Sequence, residues 1–371
     1  MAECVRCVMN DSVDRTLVLD AAGVCHHCLR YDALLPRRVR SGAAGKEYLE
    51  RRVEQIRAAG RGLDYDCVLG VSGGADSTFV AYLVKEMGLR ALAVHLDNGW
   101  NSELAVANIR GALDWLGMDL DTEVLDWPEF RDLQLAFLKA STPDGEIPTD
   151  HAIQALLWRS AVKHGTKTII SGMNFRTEAF SNPEWAYGHS DWTYIRDVHR
   201  KHGTVPLKHY PHYGLGHLLY LNARGVRTLS ILNYVDHDKA SATRTITDKL
   251  GWRDYGGKHH ESVYTRFFQG YVLPTKFGID KRYAHLSDLV KSGQLDRDAA
   301  KAELQTPPYP VELQQQDLVF VTKKLGLTTE SFDALMALPV RCFRDYKNSY
   351  GKVQLMRRAV NVLRSKGLYD A

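Results

Sequence analysis

A short loop of serine, glycine and aspartate, residues 72–77, has the composition and spacing of a phosphate-binding site. It follows residues 67–71, an apolar run that predicts a strand buried on both faces. Residues 78–87, which come next, have the apolar spacing of a helix. The two glycines of the loop allow the backbone to turn sharply and to approach a ligand closely. Asp76 and Ser77 then begin the helix, where unpaired N–H groups and the helix dipole favour an anion.

The order of residues in this loop separates it from two common nucleotide-binding motifs. No lysine follows the glycines, as it does in the Walker type, and the third glycine of the dinucleotide fingerprint is missing. Ser-Gly-Gly-x-Asp-Ser after a strand instead resembles the pyrophosphatase (PP) loop of ATP-pyrophosphatases, which split ATP into AMP and pyrophosphate and leave an adenylated substrate. The resemblance implies ATP binding by Ser72, Gly73, Gly74, Ala75, Asp76 and Ser77. Phosphate chemistry of this kind requires Mg²⁺, for which Asp76 is the best-placed ligand.

Two further turns are expected beside this loop. Strands are predicted at 67–71, 91–96, 122–125, 168–171 and 226–232, with helices between them, which predicts an α/β fold with a parallel sheet and helices on both faces. Ligands of such sheets bind beyond the carboxyl ends of the strands. By resemblance to ATP-pyrophosphatases, the turns after the second and fourth strands supply His95, Asp97 and Gly172 to ATP and Asn174 and Glu178 to the substrate. Asp97 is also a common turn residue, so a structural role is equally open.

The stretch 251–262 concentrates titratable groups after two adjacent glycines. Lys258 is suited to neutralise charge that develops on phosphate. Glu261, His259 or His260 is suited to take a proton from an attacking amine. A solvated loop is the alternative interpretation. Further along, Arg282 is expected to add positive charge near the phosphates and the substrate.

Four cysteines in two Cys-x-x-Cys pairs predict a metal site at the N-terminus. The pairs are Cys4 with Cys7 and Cys25 with Cys28, separated by seventeen residues. This spacing predicts a closed, structural zinc ribbon, because a segment this short has too small a core to fold without the metal. A redox pair or a chance arrangement is the alternative. His26 and His27 are expected to be bystanders.

Composition sets the remaining limits. The chain has 371 residues, of which 44% are hydrophobic and 25% charged, and its net charge of +4 is too small to predict nucleic-acid binding. No apolar stretch is long enough to insert into a membrane, and no secretory signal is visible, so a cytoplasmic location is expected. The expected organisation is a zinc-ribbon-like segment (1–35), a linker, a PP-loop domain (46–255), and a substrate-completing, mostly helical C-terminal region (256–371).

Several motifs outside the loop resemble the N-acetyl sugar amidotransferases, the WbpG/PseA-like family of the HUP/PP-loop superfamily. They extend from the N-terminal cysteine pairs to about residue 310, and the stretch 251–259 is the most specific of them. The other matching segments are 148–153, 171–178, 264–267, 281–282 and 284–287. These enzymes act in the biosynthesis of bacterial surface polysaccharides, in pathways for lipopolysaccharide O-antigen and for nonulosonic acids.

The resemblance implies a reaction and a set of partners. ATP would adenylate the acetamido oxygen of a nucleotide-linked N-acetyl sugar, and ammonia would then displace AMP to leave an acetamidino group. The chain shows no glutaminase nucleophile, since position 2 is Ala, so separate glutaminase (HisH-like) and cyclase-like (HisF-like) subunits are expected to supply ammonia. The cofactors implied are ATP, Mg²⁺ and structural Zn²⁺.

Two other functions remain open at this point. A tRNA-thiolating enzyme would use the same loop and the same adenylation, often with a zinc ribbon, but it would also need catalytic cysteines near the sheet and a basic RNA-binding face. A nucleotide-binding partner without chemistry of its own would need neither. The titratable residues of the stretch 251–262 favour an enzyme over such a partner.

Overall fold

The computed structural model describes residues 2–257 and 260–365. Its centre is a parallel five-stranded sheet in the order β3-β2-β1-β4-β5. The strands are β1 (Cys67–Gly70), β2 (Ala91–Asp97), β3 (Leu120–Val124), β4 (Thr168–Ser171) and β5 (Arg227–Ser230). The order places β1 in the middle, with the chain winding outward to one edge through β2 and β3 and then to the other through β4 and β5. The predicted α/β fold is confirmed.

Helices precede, connect and follow the strands. Those of the first two-thirds of the chain are α1 (His26–Arg38), α2 (Gly42–Ala59), α3 (Ala75–Glu86), α4 (Glu103–Leu116), α5 (Trp127–Ala140), α6 (Ile147–Lys163), α7 (Trp192–His202), α8 (Leu215–Ala223) and α9 (Lys239–Leu250). The remainder are α10 (Val263–Phe267), which continues as a π-helix (Phe268–Phe277), then α11 (Lys281–Lys291), α12 (Arg297–Leu304), α13 (Val311–Leu325), α14 (Thr329–Ala337) and α15 (Tyr350–Ser365). None of these described helices is both long and apolar enough to cross a membrane.

Alternate side chains of each central strand enter different cores, which is why the strand sequences are almost wholly apolar. Val68 packs in a core that includes α5 and α6, whereas Cys67 and Leu69 pack in a second core that includes α2, α3, α4 and α9. A strand residue points to the face opposite its neighbour's. Both faces of the sheet are therefore covered by helices, and the carboxyl edge of the sheet is where the connecting turns lie.

One detail of the sequence-based organisation was wrong. Residues 36–45, interpreted as a linker, mostly belong to helices, because α1 continues through Pro36 to Arg38 and α2 begins at Gly42. The C-terminal region is mostly helical as far as the structure describes it, to residue 365, as expected.

The N-terminal segment packs against distant parts of the chain. The Arg297 guanidinium donates to the carbonyl oxygens of Cys4 (2.7 Å) and Cys7 (3.1 Å). Arg30 donates to the carbonyl of Ala179 at 3.0 Å. The cysteine-bearing segment is thus held between α12 and the loop that follows β4.

Candidate functional site

The loop 72–77 lies where the strand order of the sheet reverses. β1 precedes the loop, and β4, the neighbour of β1 on the other side, ends just before Gly172. A Cβ atom on Gly172 would stand 3.4 Å from the backbone nitrogen of Ser77, so the turn after β4 closely approaches the start of α3. Ligands of doubly wound sheets bind at such a reversal. Gly172 therefore lies next to the loop, as predicted, although its contact with ATP stays a prediction.

Hydrogen bonds between the loop's own residues give it a defined shape. The backbone nitrogen of Ser72 donates to Ser77 Oγ at 3.3 Å, and Ser77 Oγ in turn donates to the carbonyl of Gly74 at 3.0 Å. The backbone nitrogen of Gly74 donates to Ser72 Oγ at 3.3 Å. Ala75 and Asp76 follow as the first residues of α3. Both serine hydroxyls and the free N–H end of the helix thus converge on one small volume, which suits an anion.

Position 73 is the one in the loop where the structure requires glycine. Its φ is +82°, and a Cβ atom there would lie 2.9 Å from both the Ala105 carbonyl oxygen and the Tyr255 hydroxyl. The carbonyl of Gly73 accepts two hydrogen bonds, one from Trp252 Nε1 at 2.8 Å and one from the Tyr255 hydroxyl at 2.7 Å. Two side chains from the stretch 251–262 therefore fix one peptide plane of the loop.

Asn108 of α4 connects that stretch to the loop. Its Nδ2 donates to the carbonyl of Arg253 at 2.8 Å and to the Tyr255 hydroxyl at 2.9 Å, and its Oδ1 accepts from the Arg253 nitrogen at 3.1 Å. Asn108 is 5% exposed, so these bonds form out of contact with water. Burial raises the pKa of Tyr255 to about 12, which keeps its hydroxyl protonated as a donor.

Glu261 follows in the same stretch and lies over the loop. The backbone of 261–263 pairs with that of 100–102: Ser102 N donates to the Glu261 carbonyl and Val263 N donates to the Trp100 carbonyl, both at 2.9 Å. Glu261 Oε1 stands 3.1 Å from where a Cβ of Gly74 would be. The predicted catalytic residues Lys258 and His259 lie outside the described residues. Tyr255 and Glu261 therefore both lie close to the loop.

Asp76 and Glu261 give this site the donor set that Mg²⁺ prefers. Both are carboxylates in partly exposed positions beside the phosphate cradle, and Mg²⁺ is bound by carboxylates together with substrate phosphates. Asp76 Oδ1 also lies 3.4 Å from Nε2 of His237, a histidine that the sequence did not single out. These residues therefore fit a Mg²⁺–ATP complex.

Side chains at the end of β2 and in the turn after it form hydrogen bonds with neighbouring protein groups. His95 Nδ1 is 2.9 Å from the Val71 carbonyl and its Nε2 is 3.0 Å from Asn101 Nδ2, so both ring nitrogens already have protein partners. Asp97 Oδ1 accepts from the nitrogen of Gly99 at 2.8 Å, which is the turn role that was left open. Lys324 of α13, unrecognised in the sequence, donates to the carbonyl of Gly99. The ATP-binding roles of His95 and Asp97 stay predictions.

The predicted substrate ligands divide into two places. Asn174 is 2% exposed; its Oδ1 accepts from the nitrogen and hydroxyl of Thr177, both at 3.0 Å, and its backbone nitrogen donates to Glu178 Oε2 at 3.3 Å. Both residues thus lie in the turn after β4, as predicted. Arg282 is bound instead by the Asp280 carboxylate (2.7 Å) and by the carbonyl of Thr306 (2.8 Å), which secures α11 to α12. Its predicted role at the substrate stays untested.

A polar cluster beside the turn after β2 was missed by the sequence analysis. Glu146 accepts from Gln269 Nε2 (3.0 Å) and from Lys281 Nζ (3.0 Å), just before α6 begins. Thr149, in the first turn of α6, accepts from Asn98 Nδ2 at 3.2 Å, which ties this cluster to the end of β2. Gln269 and Lys281 lie 123 and 135 positions from Glu146 along the chain, so no local pattern could have indicated their contacts with it.

The four N-terminal cysteines converge as predicted. Their Sγ atoms lie within 4.8 Å of one another; Cys4 and Cys28 are 3.9 Å apart, and Cys7 and Cys25 are 3.6 Å apart. A tetrahedron with Zn–S bonds of about 2.3 Å has S···S edges of about 3.8 Å. Hydrogen bonds from Cys25 and Cys28 lower the pKa of Cys7 to about 7. The cluster therefore fits a structural zinc ion.

His27 has a structural role next to this cluster. Its Nε2 lies 2.7 Å from Asp14 Oδ2, and Asn182 Nδ2 donates to Asp14 Oδ1 at 3.1 Å. Although burial raises the pKa of Asp14, hydrogen bonds from His27 and Thr16 lower it to about 2. This buried pair connects the cysteine-bearing segment to the loop after β4.

Comparison with known proteins supports the same class. Residues 261–360 match the family described as "LPS biosynthesis protein WbpG-like, C-terminal domain". This match confirms, for that region, the resemblance predicted from the sequence motifs. Together with the loop at the reversal of the parallel sheet, it supports an ATP-using protein of the ATP-pyrophosphatase class.

Individual relatives are distant. An uncharacterized protein of Methanocaldococcus jannaschii is 24% identical over 328 residues, covering 85% of this chain and 97% of its own length. A tRNA(Ile)-lysidine synthase of Chlamydia pneumoniae is 53% identical over 38 residues, or 10% of this chain and 12% of its own length.

Among solved structures, NMN synthetase of Francisella tularensis has a TM-score of 0.38 and 14% identity, covering 77% of this chain and 98% of that one. The NH3-dependent NAD synthetase of Campylobacter jejuni has a TM-score of 0.29 and 14% identity, covering 56% and 93%.

Proposed function

We propose that this protein is an ATP-dependent amidotransferase that converts the acetamido group of a nucleotide-linked N-acetyl sugar into an acetamidino group, in the biosynthesis of lipopolysaccharide O-antigen or nonulosonic acids. The observation that carries the proposal is the occurrence, in one chain, of the PP-loop at the sheet reversal and a WbpG-like C-terminal domain. The loop is suited to ATP, and the C-terminal match supports the surface-polysaccharide context.

The reaction has two steps. The acetamido oxygen attacks the α-phosphorus of ATP, the bond to the β-phosphate oxygen breaks, and pyrophosphate leaves. Ammonia nitrogen then attacks the imidate carbon, the carbon–oxygen bond to AMP breaks, and the nitrogen loses its surplus protons. Adenylation is needed because an amide oxygen is a poor leaving group, whereas AMP is a good one.

The residues of the site divide between these steps. Backbone N–H groups of the loop and the hydroxyls of Ser72 and Ser77 hold phosphate oxygens. Asp76 would hold Mg²⁺, which would offset the charge that develops on the departing pyrophosphate. Lys258 is assigned to the same charge, and His259 or Glu261 to the proton released by the attacking ammonia. Asn174 and Glu178, in the turn after β4, are assigned to the acceptor.

The acceptor also needs groups that recognise its hydroxyls. The cluster of Glu146, Gln269 and Lys281 combines acceptors and donors at the same edge of the sheet, which suits a polyhydroxylated ligand. Ammonia is proposed to come from separate glutaminase and cyclase-like subunits in the cytoplasm, because the chain shows no glutaminase nucleophile.

The cysteines outside the N-terminal cluster argue against the alternative function, that of a tRNA-thiolating enzyme. Cys67 is fully buried within β1, and burial raises the pKa of its thiol to about 12, so it is not available as a thiolate. Cys342 lies beyond α14. Neither residue offers the reactive thiol beside the loop that sulfur transfer would require, which supports ammonia as the nucleophile.

The test is pyrophosphate release from the pure chain with ATP, Mg²⁺ and ammonium, across a panel of nucleotide-linked N-acetyl sugars. We expect release that depends on one sugar, with a product whose mass corresponds to exchange of oxygen for NH. Asp76→Asn should abolish the release, whereas Asp20→Asn, in the N-terminal turn, should not. Release with tRNA and a sulfur donor but with no sugar would overturn the proposal in favour of a thiolating enzyme.

A further inference from the structure

His237 is a buried histidine on the wall of the candidate ATP site that no sequence motif indicated. Its side chain is 1% exposed. Within the described part of the chain, neither Nδ1 nor Nε2 has a hydrogen-bond partner of acceptable geometry. A buried polar group without a hydrogen bond is costly to the folded state, so such a group in a native protein needs an explanation.

The carboxylate of Asp76, a predicted catalytic residue, lies close to His237. Nε2 of His237 lies 3.4 Å from Asp76 Oδ1, just beyond a good hydrogen bond. The imidazole also stacks on Phe79, one turn further along α3, with ring centroids 5.8 Å apart and an angle of 29° between the rings. The ring therefore faces the first turn of α3 from the side of β5.

The backbone around His237 is fixed by contacts to three parts of the chain. Arg176 donates to the Val235 carbonyl at 3.2 Å, and the Asp236 carboxylate accepts from Gly42 N at 3.1 Å. Asp238, directly after His237, caps α9 by accepting from Ser241 N at 2.7 Å. The residues on both sides of His237 are therefore anchored, which keeps its imidazole beside the first turn of α3.

We propose that His237 is a positioning residue that holds the Asp76 carboxylate in the orientation needed to bind Mg²⁺–ATP. Nε2–H of His237 donates to Asp76 Oδ1, which leaves the carboxylate oriented toward the phosphate cradle. Hydrogen bonds between catalytic groups are often long in the ligand-free protein and shorten in the complex, which accounts for the 3.4 Å separation. This inference rests on the proposed function, since it assumes that Asp76 contacts the metal–nucleotide complex.

The test measures binding rather than turnover alone. Binding of a non-hydrolysable ATP analogue is titrated with Mg²⁺ in the wild type, His237→Leu and His237→Gln, with His202→Leu on α7 as the control. His237→Leu should raise the half-saturating Mg²⁺ concentration about tenfold, as expected for loss of one hydrogen bond to a charged group. His237→Gln, which keeps a donor, should stay within about threefold of the wild type.

A double-mutant cycle separates positioning from a structural role. In an Asp76→Asn background, His237→Leu should cause no further change in the Mg²⁺ requirement, because the group that it orients is gone. A wild-type Mg²⁺ requirement in folded His237→Leu or, if that variant does not fold, a tenfold loss in folded His237→Gln would overturn the proposal. Failure of the wild type to bind the analogue at all would overturn the proposed function as well.

Discussion

Trp252 Nε1 donates to the carbonyl of Gly73 at 2.8 Å, although the two residues are 179 positions apart. A trans peptide is planar, so its carbonyl and the following N–H point in opposite directions. Drawing the Gly73 carbonyl outward toward the indole therefore turns the N–H of Gly74 toward the interior of the loop, where it meets Ser72 Oγ. Trp252, in the stretch 251–262, thus acts on the loop through one peptide bond.

The Tyr255 hydroxyl can be removed to test this arrangement. Tyr255→Phe eliminates one of the two bonds to the Gly73 carbonyl and the bond from Asn108. We expect the free energy of unfolding to fall by about 1–2 kcal/mol and the affinity for an ATP analogue to fall several-fold. Tyr271→Phe is the control, because the hydroxyl of Tyr271 has no hydrogen bond within the described ranges. Equal affinities for the two variants would contradict this role for Tyr255.

Gly73→Ala should abolish ATP binding with only a moderate loss of stability. A positive φ costs a residue other than glycine about 1 kcal/mol, and here a Cβ also meets the Ala105 carbonyl at 2.9 Å. Gly293→Ala is the matched control, since Gly293 has a φ of +72° but open space where the Cβ would lie. Chemical denaturation and analogue binding, measured on both variants, separate the backbone cost from the steric one. Similar affinities of the two variants for the analogue would show that a Cβ at position 73 does not disturb the loop.

One zinc ion per chain should be found by elemental analysis of protein purified without chelator. Cys7→Ser should lose this metal and several kcal/mol of stability, because binding of a structural metal is part of the folding free energy. Cys342→Ser, which alters a half-buried cysteine outside the cluster, should retain both. Stoichiometric zinc in Cys7→Ser would show that these thiols are not its ligands.

Asp144 should make the protein less stable as pH rises from about 4 to about 6. Burial raises the pKa of Asp144 from 3.8 to about 6, despite its hydrogen bonds from Tyr194 and Tyr187. In that range the folded protein holds a proton that the unfolded chain has released, so rising pH favours unfolding. The rise in pKa corresponds to about 3 kcal/mol in the free energy of unfolding. Relative to pH below 4, the folded protein loses this amount of stability by pH above 6.

Asp144→Asn should remove this dependence, measured as the difference between mutant and wild-type unfolding free energies across the range. Asp132→Asn should remove a pH dependence of stability that has the opposite sign. Although burial raises the pKa of Asp132, hydrogen bonds from Val205 and Thr204 lower it overall, so its stabilisation is present at neutral pH and lost as pH falls. Parallel pH profiles for wild type and Asp144→Asn would rule out a buried, protonated Asp144.

The sequence predicted those features that depend on residues close together along the chain. The strand–loop–helix unit at 67–87 is local, because apolar runs, glycines and the helix start all lie within one segment. The two Cys-x-x-Cys pairs are equally local, since each forms its own turn. The predicted strand positions agree with the structure to within a few residues for the same reason.

Contacts between distant segments were beyond sequence reasoning. His237 adjoins Asp76 only because β5 lies beside β4, and nothing in the residues around His237 indicates this placement. The same applies to Lys281 and Glu146, which are 135 positions apart. Arg282 shows that a cation expected near the substrate can also have a local partner. Its guanidinium donates to the carboxylate of Asp280, two residues earlier in the chain.

The guanidinium of Arg297 on the carbonyls of Cys4 and Cys7 has a consequence for the order of events during synthesis. The cysteine-bearing segment is synthesised before α12 and could bind a metal before α12 exists. Its backbone carbonyls then stay hydrated until nearly 300 residues have been made, when α12 reaches them. A chain that stops before Arg297 would therefore present this segment with only one of its two supports, the loop after β4, which Arg30 contacts through the carbonyl of Ala179.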